Sequence, residues 1–196
     1  MGRLEEIPGT NIIRTTTDEI RLGHTWHEID VLKGLIRLEK PKFFVEIGVH
    51  EGGLSYLLMP VVGDAKYYGV ELYCNLIRPE VLDLYTHIHN KLFCMDCFDM
   101  SLWKHLVDKT PKIIYCDGGH KAQELLHFKS TCASGDIILT HDFYDGSRVV
   151  KDVPIQNISI EVTYNDIVPV EFDREHFERL DEDLFKETRI IGWKRK

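Results

Sequence analysis

The sequence predicts an α/β protein built on a doubly wound, Rossmann-like, mostly parallel sheet, and three observations carry that prediction. The apolar run at 43–45 has no polar face and reads as a strand buried on both sides, and 66–71, 91–94, 111–117 and 135–142 read as further strands. Stretches with helical periodicity separate them, the pattern of consecutive βα units. Glu46, Glu71, Asp117 and Asp142 stand at or near the ends of four of these runs. Parallel strands end on a common edge, and ligands collect there.

Taken in order, residues 1–17 are polar and expected to be loosely held. Residues 18–39 place Ile20, Trp26, Ile29, Leu32, Leu35, Ile36 and Leu38 at helical spacing, with Asp18 as N-cap and Pro41 as the stop. Trp26, His27 and Glu28 read first as packing residues and second as a wall of a ligand site. The apolar run at 43–45 is followed at once by Gly48, Gly52 and Gly53, and Leu54-Ser55-Tyr56-Leu57-Leu58-Met59 starts a helix. A strand, glycine turn and helix bring backbone close to a nucleotide-like ligand. The spacing is Glu-x-Gly-x-x-x-Gly rather than the Gly-x-Gly-x-x-Gly of pyrophosphate binders, a looser turn suited to an uncharged or zwitterionic tail.

The next strand ends on Glu71, where nucleoside-binding folds receive a ribose diol. Residues 78–90 read as a helix. The strand at 91–94 leads to Asp96, which either accepts a bond from an adenine amino group or caps the helix beginning near Ser101. Helices are expected after Ser101 and over 121–131. Beyond the fifth run, 143–157 reads as a loop with a short helix, 158–164 as a less buried strand, 173–186 as an outer helix and 189–193 as a closing edge strand. Segments 3–17 and 143–157 are the expected lids. No repeat or linker interrupts the chain, so one domain is expected over 1–196: an N-terminal segment and helix (1–40), a ligand-binding core (41–164), and an outer helix with a closing strand (165–196).

A length of 196 residues supports one sizeable core. The net charge of −8 argues against nucleic acid as a partner, and the terminal Lys194-Arg195-Lys196 is too short to reverse it. No apolar stretch is long enough to span a bilayer, and residues 1–10 lack a signal peptide's hydrophobic region, so a cytoplasmic protein away from membranes is expected. The 5 cysteines do not suggest a secreted disulfide framework. Cys94-x-x-Cys97 lacks the second pair of a zinc site, and both residues read as small side chains at a strand end.

Two constellations carry chemistry. Asp117-Gly118-Gly119-His120 follows the fourth strand and His141-Asp142 the fifth, so their loops are neighbours. Asp117, His141 and Asp142 are expected to hold a divalent cation. Oxygen donors favour magnesium or manganese, while His141 shifts the choice toward manganese, iron or zinc. His120 is the expected general base beside that cation. The competing reading makes Asp117 a helix cap and the histidines polar loop residues.

Together, Phe44-Val45-Glu46-Ile47-Gly48-Val49-His50-Glu51-Gly52-Gly53, Gly69-Val70-Glu71, Tyr115-Cys116-Asp117-Gly118-Gly119-His120 and Gly135-Asp136-Ile137-Ile138-Leu139-Thr140-His141-Asp142 resemble a class I S-adenosylmethionine-dependent methyltransferase. The branch it resembles most is that of the small-molecule O-methyltransferases, which includes macrolide-sugar, macrocin-type and cephalosporin-hydroxylase-like proteins. The resemblance runs from Trp26 to Phe143. It implies a seven-stranded sheet with an antiparallel C-terminal edge strand. It implies that Glu46, Gly48 and Gly52 surround the methionine part of S-adenosylmethionine, that Glu71 binds the ribose hydroxyls and that Asp96 lies near the adenine. It also implies Asp117 as a metal ligand, His120 as the base and an acidic pair closing the metal site. This chain departs from that pair with His141-Asp142.

The expected activity is therefore methyl transfer to a hydroxyl of a small polar molecule such as a sugar, assisted by a divalent metal. Two alternatives stay open: an iron-dependent oxygenase on the same fold, drawing on His120, His141 and Asp142, and a non-catalytic cofactor-binding domain. A small molecule is the expected partner, and the C-terminal edge strand leaves room for a homodimer.

Overall fold

The structure, a computed structural model, describes residues 5–6, 12–14, 19–87, 89–146, 150–151, 160–171 and 173–196. The first of these form a three-stranded antiparallel sheet of Glu5–Glu6 (β1), Ile12–Arg14 (β2) and Glu19–Arg21 (β3), in that order. This corrects the expectation of a loosely held start at those residues. The rest of 1–17, and Asp18, lie outside the described residues, as does much of 143–157.

The first helix is shorter than its apolar spacing suggests, because residues 19–21 pair with β2 instead of coiling. Helix α1 spans Trp26–Glu39. Thr25 is its N-cap: Thr25 Oγ1 accepts the Glu28 N–H at 3.1 Å, and Glu28 Oε2 accepts the Thr25 N–H at 2.8 Å. This reciprocal capping box replaces Asp18 as the start signal. Lys40 ends the helix in the left-handed region.

Seven strands form the main sheet, in the order β6-β5-β4-β7-β8-β10-β9. Phe43–Ile47 (β4), Lys66–Glu71 (β5), Lys91–Cys94 (β6), Lys112–Cys116 (β7) and Ile137–Thr140 (β8) are parallel. Ile191–Arg195 (β10) runs antiparallel to β8, and Phe177–Arg179 (β9) runs antiparallel to β10. The mostly parallel sheet with an antiparallel C-terminal side is thus as expected. The edge itself differs: β9 lies outermost, and the segment read as the edge is an inner strand. The outer helix expected at 173–186 is replaced by β9 and the single turn Glu182–Phe185 (α7), and Tyr164–Glu171 is helix α6. Of the strand expected at 158–164, Val162 alone pairs among the described residues, in a bridge to Phe143.

The apolar runs are continuous because both sheet faces are covered. Phe44, Tyr67 and Ile113 enter one core with Leu32 and Leu58, while their neighbours Val45, Tyr68 and Ile114 enter the other with Phe128 and Trp193. Each large side chain buried this way contributes about 1.5–3 kcal/mol. The covering helices are α1, Gly53–Val62 (α2), Pro79–Tyr85 (α3), Met100–Leu106 (α4) and Lys121–Lys129 (α5). No helix among the described residues is long and apolar enough to cross a membrane.

Cys74 and Cys94 form a disulfide, which corrects the reading of Cys94 as a small free side chain; Cys97, Cys116 and Cys132 are free. The bond ties the turn after β5 to the end of β6. A loop of this size is worth about 3 kcal/mol in the chain-entropy picture.

Candidate functional site

The chain order reverses at β4, which lies between β5 and β7, and such a switch point leaves a crevice beyond the strand ends. The crevice has a volume of about 1010 Å³, and Glu46, Glu71, Asp117 and Asp142 all line it. Gly48, Asp96, His120 and His141 line it too.

One half of the cleft is built from the β4 turn and the ends of β5 and β6. Gly48 has φ +86°, and a Cβ there would lie 2.5 Å from the Asp117 carbonyl oxygen. Only glycine allows the two central turns this approach. Gly52, behind the wall, opens α2 at φ +91°, where a Cβ would strike Val81. Glu71 is buried, and each of its oxygens accepts one backbone N–H: Oε2 from His50 and Oε1 from Tyr73, both at 2.8 Å. The carboxylate is thereby fixed in orientation, with lone pairs left on both oxygens. Asp99, not Asp96, caps α4 through the Ser101 N–H at 2.7 Å. Asp96 closes its own turn by accepting the Phe98 N–H at 2.9 Å and remains on the cleft wall.

Glu46 forms the floor. It is 1 % exposed and accepts hydrogen bonds from Ser55 Oγ and, at 2.8 Å, from Tyr67 Oη. Burial raises its pKa, and the nearby Asp117 and Glu71 charges add to this against the two hydrogen bonds, leaving it at about 8. Glu46 is therefore a neutral acid near pH 7, not a second anion beside Glu71.

The other half is a network of charges. Asp117 Oδ1 meets His141 Nδ1 at 2.9 Å, and Oδ2 meets His24 Nε2 at 3.2 Å. His141 Nε2 lies 3.4 Å from Glu28 Oε2. Burial works against the imidazolium, but Asp117 and Glu28 outweigh it and push His141 up to about 9. Burial likewise opposes ionisation of Asp117, yet His141 and His24 hold it well below the usual carboxylate range. Arg189 grips Glu28 through Nη2 at 2.9 Å and Nε at 3.1 Å, and reaches Asp142 Oδ1 through Nη1 at 2.7 Å. Lys121 Nζ takes the other Asp142 oxygen at 3.2 Å, with Glu161 at 2.8 Å and Asp117 at 3.6 Å. Asp142 holds φ +54° and His50 φ +52°; strained backbone of this kind concentrates at binding and catalytic sites.

Of the expected cation ligands, Asp117 and His141 thus meet, while both oxygens of Asp142 are already held by cations. Asp117 caps nothing: His120 occupies the N-cap position of α5, exposed at the cleft wall, and the turn before it is held by Glu124, which accepts the Gly118 and His120 N–H groups at 3.0 and 3.1 Å. Sequence reasoning missed His24, Lys121 and Arg189. His24 and Arg189 carry no local signal, since their partners lie far away along the chain. Lys121 falls four residues after Asp117, a spacing that fits a helix-side pair.

The strand order and the switch-point cleft define the class I methyltransferase fold. No family model matches the chain, and no curated protein matches it. Among solved structures it is similar to the apo form of CmcI, with a TM-score of 0.63 and 14 % identity over 89 % of this chain and 73 % of that one. CmcI with Mg-SAM gives a TM-score of 0.58 and 15 % identity, over 90 % and 74 % of the two chains. The SAH-bound Podospora anserina methyltransferase PaMTH1 gives 0.55 and 13 %, over 86 % and 78 %. At such identities the likeness is one of fold.

Proposed function

We propose that this chain is an S-adenosylmethionine-dependent O-methyltransferase acting on a hydroxyl of a small polar molecule such as a sugar. One observation carries the reading: a nucleoside-type half-site at Gly48 and Glu71 faces an acid-base half-site at Asp117 and His120 across one cleft. The residues fit the methyl donor. Gly48 lets the β4 turn pack directly on the Asp117 turn at the cleft wall, Glu71 offers oriented acceptors for a diol, and neutral Glu46 adds no further anion beneath a zwitterionic tail. Asp96 stands on the wall where an exocyclic amine would reach it.

The bound donor supplies a sulfonium methyl group. In-line transfer needs the acceptor oxygen about 3–3.5 Å from that carbon, so the residues' task is positioning. His120 takes the acceptor's proton, and Lys121 and the Asp117 network fix the charge around it. Asp117 with the imidazoles facing it also fits a divalent cation, which when bound would lower a hydroxyl's pKa and orient vicinal oxygens. The fold neighbours include CmcI with Mg-SAM, which supports this part of the reading. Methyl-labelled S-adenosylmethionine with a panel of sugars and phenols tests the proposal: label transferred to an acceptor supports it, and no transfer with any acceptor, with or without divalent ions, counts against it.

A further inference from the structure

Asp117 is faced by two buried histidines. Suitable donor atoms of His24, Asp117 and His141 all lie within 4.8 Å of one another, the one such cluster among the described residues. The two imidazole rings stack with centroids 4.3 Å apart and 20° between planes, so both present a nitrogen to the same carboxylate. His24 is 3 % exposed, and its Nδ1 has no hydrogen-bond partner among the described residues. The nitrogen turned to the carboxylate is Nε2, 3.2 Å from Asp117 Oδ2 and 2.8 Å from Tyr115 Oη.

From this geometry we propose that the chain carries a two-histidine, one-carboxylate metal site at His24, Asp117 and His141, selective for a borderline transition ion such as manganese, iron, cobalt or zinc over magnesium. The proposal rests on reading the cleft as the acceptor site, and it replaces Asp142 with His24 in the ligand set. Asp142 is excluded because Arg189 and Lys121 hold its two oxygens. Imidazole nitrogens suit transition ions, whereas magnesium prefers an all-oxygen shell. A carboxylate behind His141 completes the pattern: Glu28 meets its far nitrogen at 3.4 Å and is itself locked by Arg189. Such outer partners orient the ligand ring and raise its basicity.

The test uses the full chain stripped by chelator and titrated with cobalt(II), followed by visible ligand-field absorption and by calorimetry. The expected result is one cobalt(II) per chain, displaced by zinc(II) but not by excess magnesium. His24→Ala and, as a milder second variant, His24→Asn should each weaken binding about tenfold or more. Asp142→Asn should still bind one cobalt(II) per chain. Circular dichroism confirms that each variant is folded. Absence of stoichiometric cobalt binding, equal binding by both folded His24 variants, or ready displacement by magnesium would each overturn the site. Binding of S-adenosylhomocysteine, measured on the same metal-free protein, reports the donor half separately, so either claim can fail alone.

Discussion

Gly48 and Asp117 touch backbone to backbone: a Cβ on Gly48 would sit 2.5 Å from the Asp117 carbonyl oxygen. The turn assigned to the methyl donor and the turn carrying the acid are therefore packed directly against each other.

Gly48→Ala tests that packing. The residue sits at φ +86°, so the substitution adds left-handed strain to a backbone clash. A loss of about 2–4 kcal/mol is expected from these two effects. Urea denaturation measures it, and a change below half a kcal/mol would mean that the turns are not packed together.

Arg189→Ala should be among the most destabilising substitutions in the site. The arginine side chain is 9 % exposed and Glu28 is 0 % exposed, and among the described residues no other cation reaches Glu28 as closely. Removing one partner of such a pair typically costs about 3–5 kcal/mol. Arg189→Lys should recover part of that loss, because a single ammonium cannot reproduce the fork that spans Glu28 and Asp142. Denaturant unfolding of the two variants checks the order.

Glu46 predicts a pH signature. Its carboxyl keeps a proton in the folded state up to about 8, whereas the unfolded chain releases it near the ordinary 4.5. Between those values the folded state binds more protons, so this group's contribution to stability falls as pH rises. His141, pushed up to about 9 from 6.5, adds a loss of the same sign at higher pH. Glu46→Gln keeps a hydrogen-bonding group on the floor but cannot titrate. The difference between wild-type and Glu46→Gln stability should therefore slope between pH 5 and 8 (roughly the interval set by the two pKa values), and parallel curves would contradict the neutral acid.

His120→Ala should lower kcat by about 10²–10⁴ while leaving donor affinity and the unfolding midpoint unchanged. The side chain is exposed and makes no hydrogen bond or ion pair among the described residues, so its removal should leave the fold intact. Unchanged kcat would remove it as the base.

Much of this was legible in the chain. Four of the five parallel strands were visible because burial on both faces makes their apolar runs continuous, whereas β6 at the sheet edge is half-exposed, and the strand-end acids followed from their positions. The Thr25-x-x-Glu28 capping box was also there to read, but the apolar spacing running back to Ile20 outweighed it, and only pairing with β2 shows why the helix starts late. Phe177–Arg179 looked helical because just one residue, Phe177, faces the core of this charged edge strand. Contacts such as Glu28 with Arg189 span 161 positions, and Cys74 with Cys94 span 20, so neither has a local sequence signal.

The central claim is that Glu71 and the Gly48 turn receive a nucleoside-bearing methyl donor. Calorimetric titration with S-adenosylhomocysteine tests it most directly. The expected result is one site per chain, with affinity lost in Glu71→Ala while the variant stays folded. No heat of binding at millimolar ligand, or full affinity in Glu71→Ala, would contradict it.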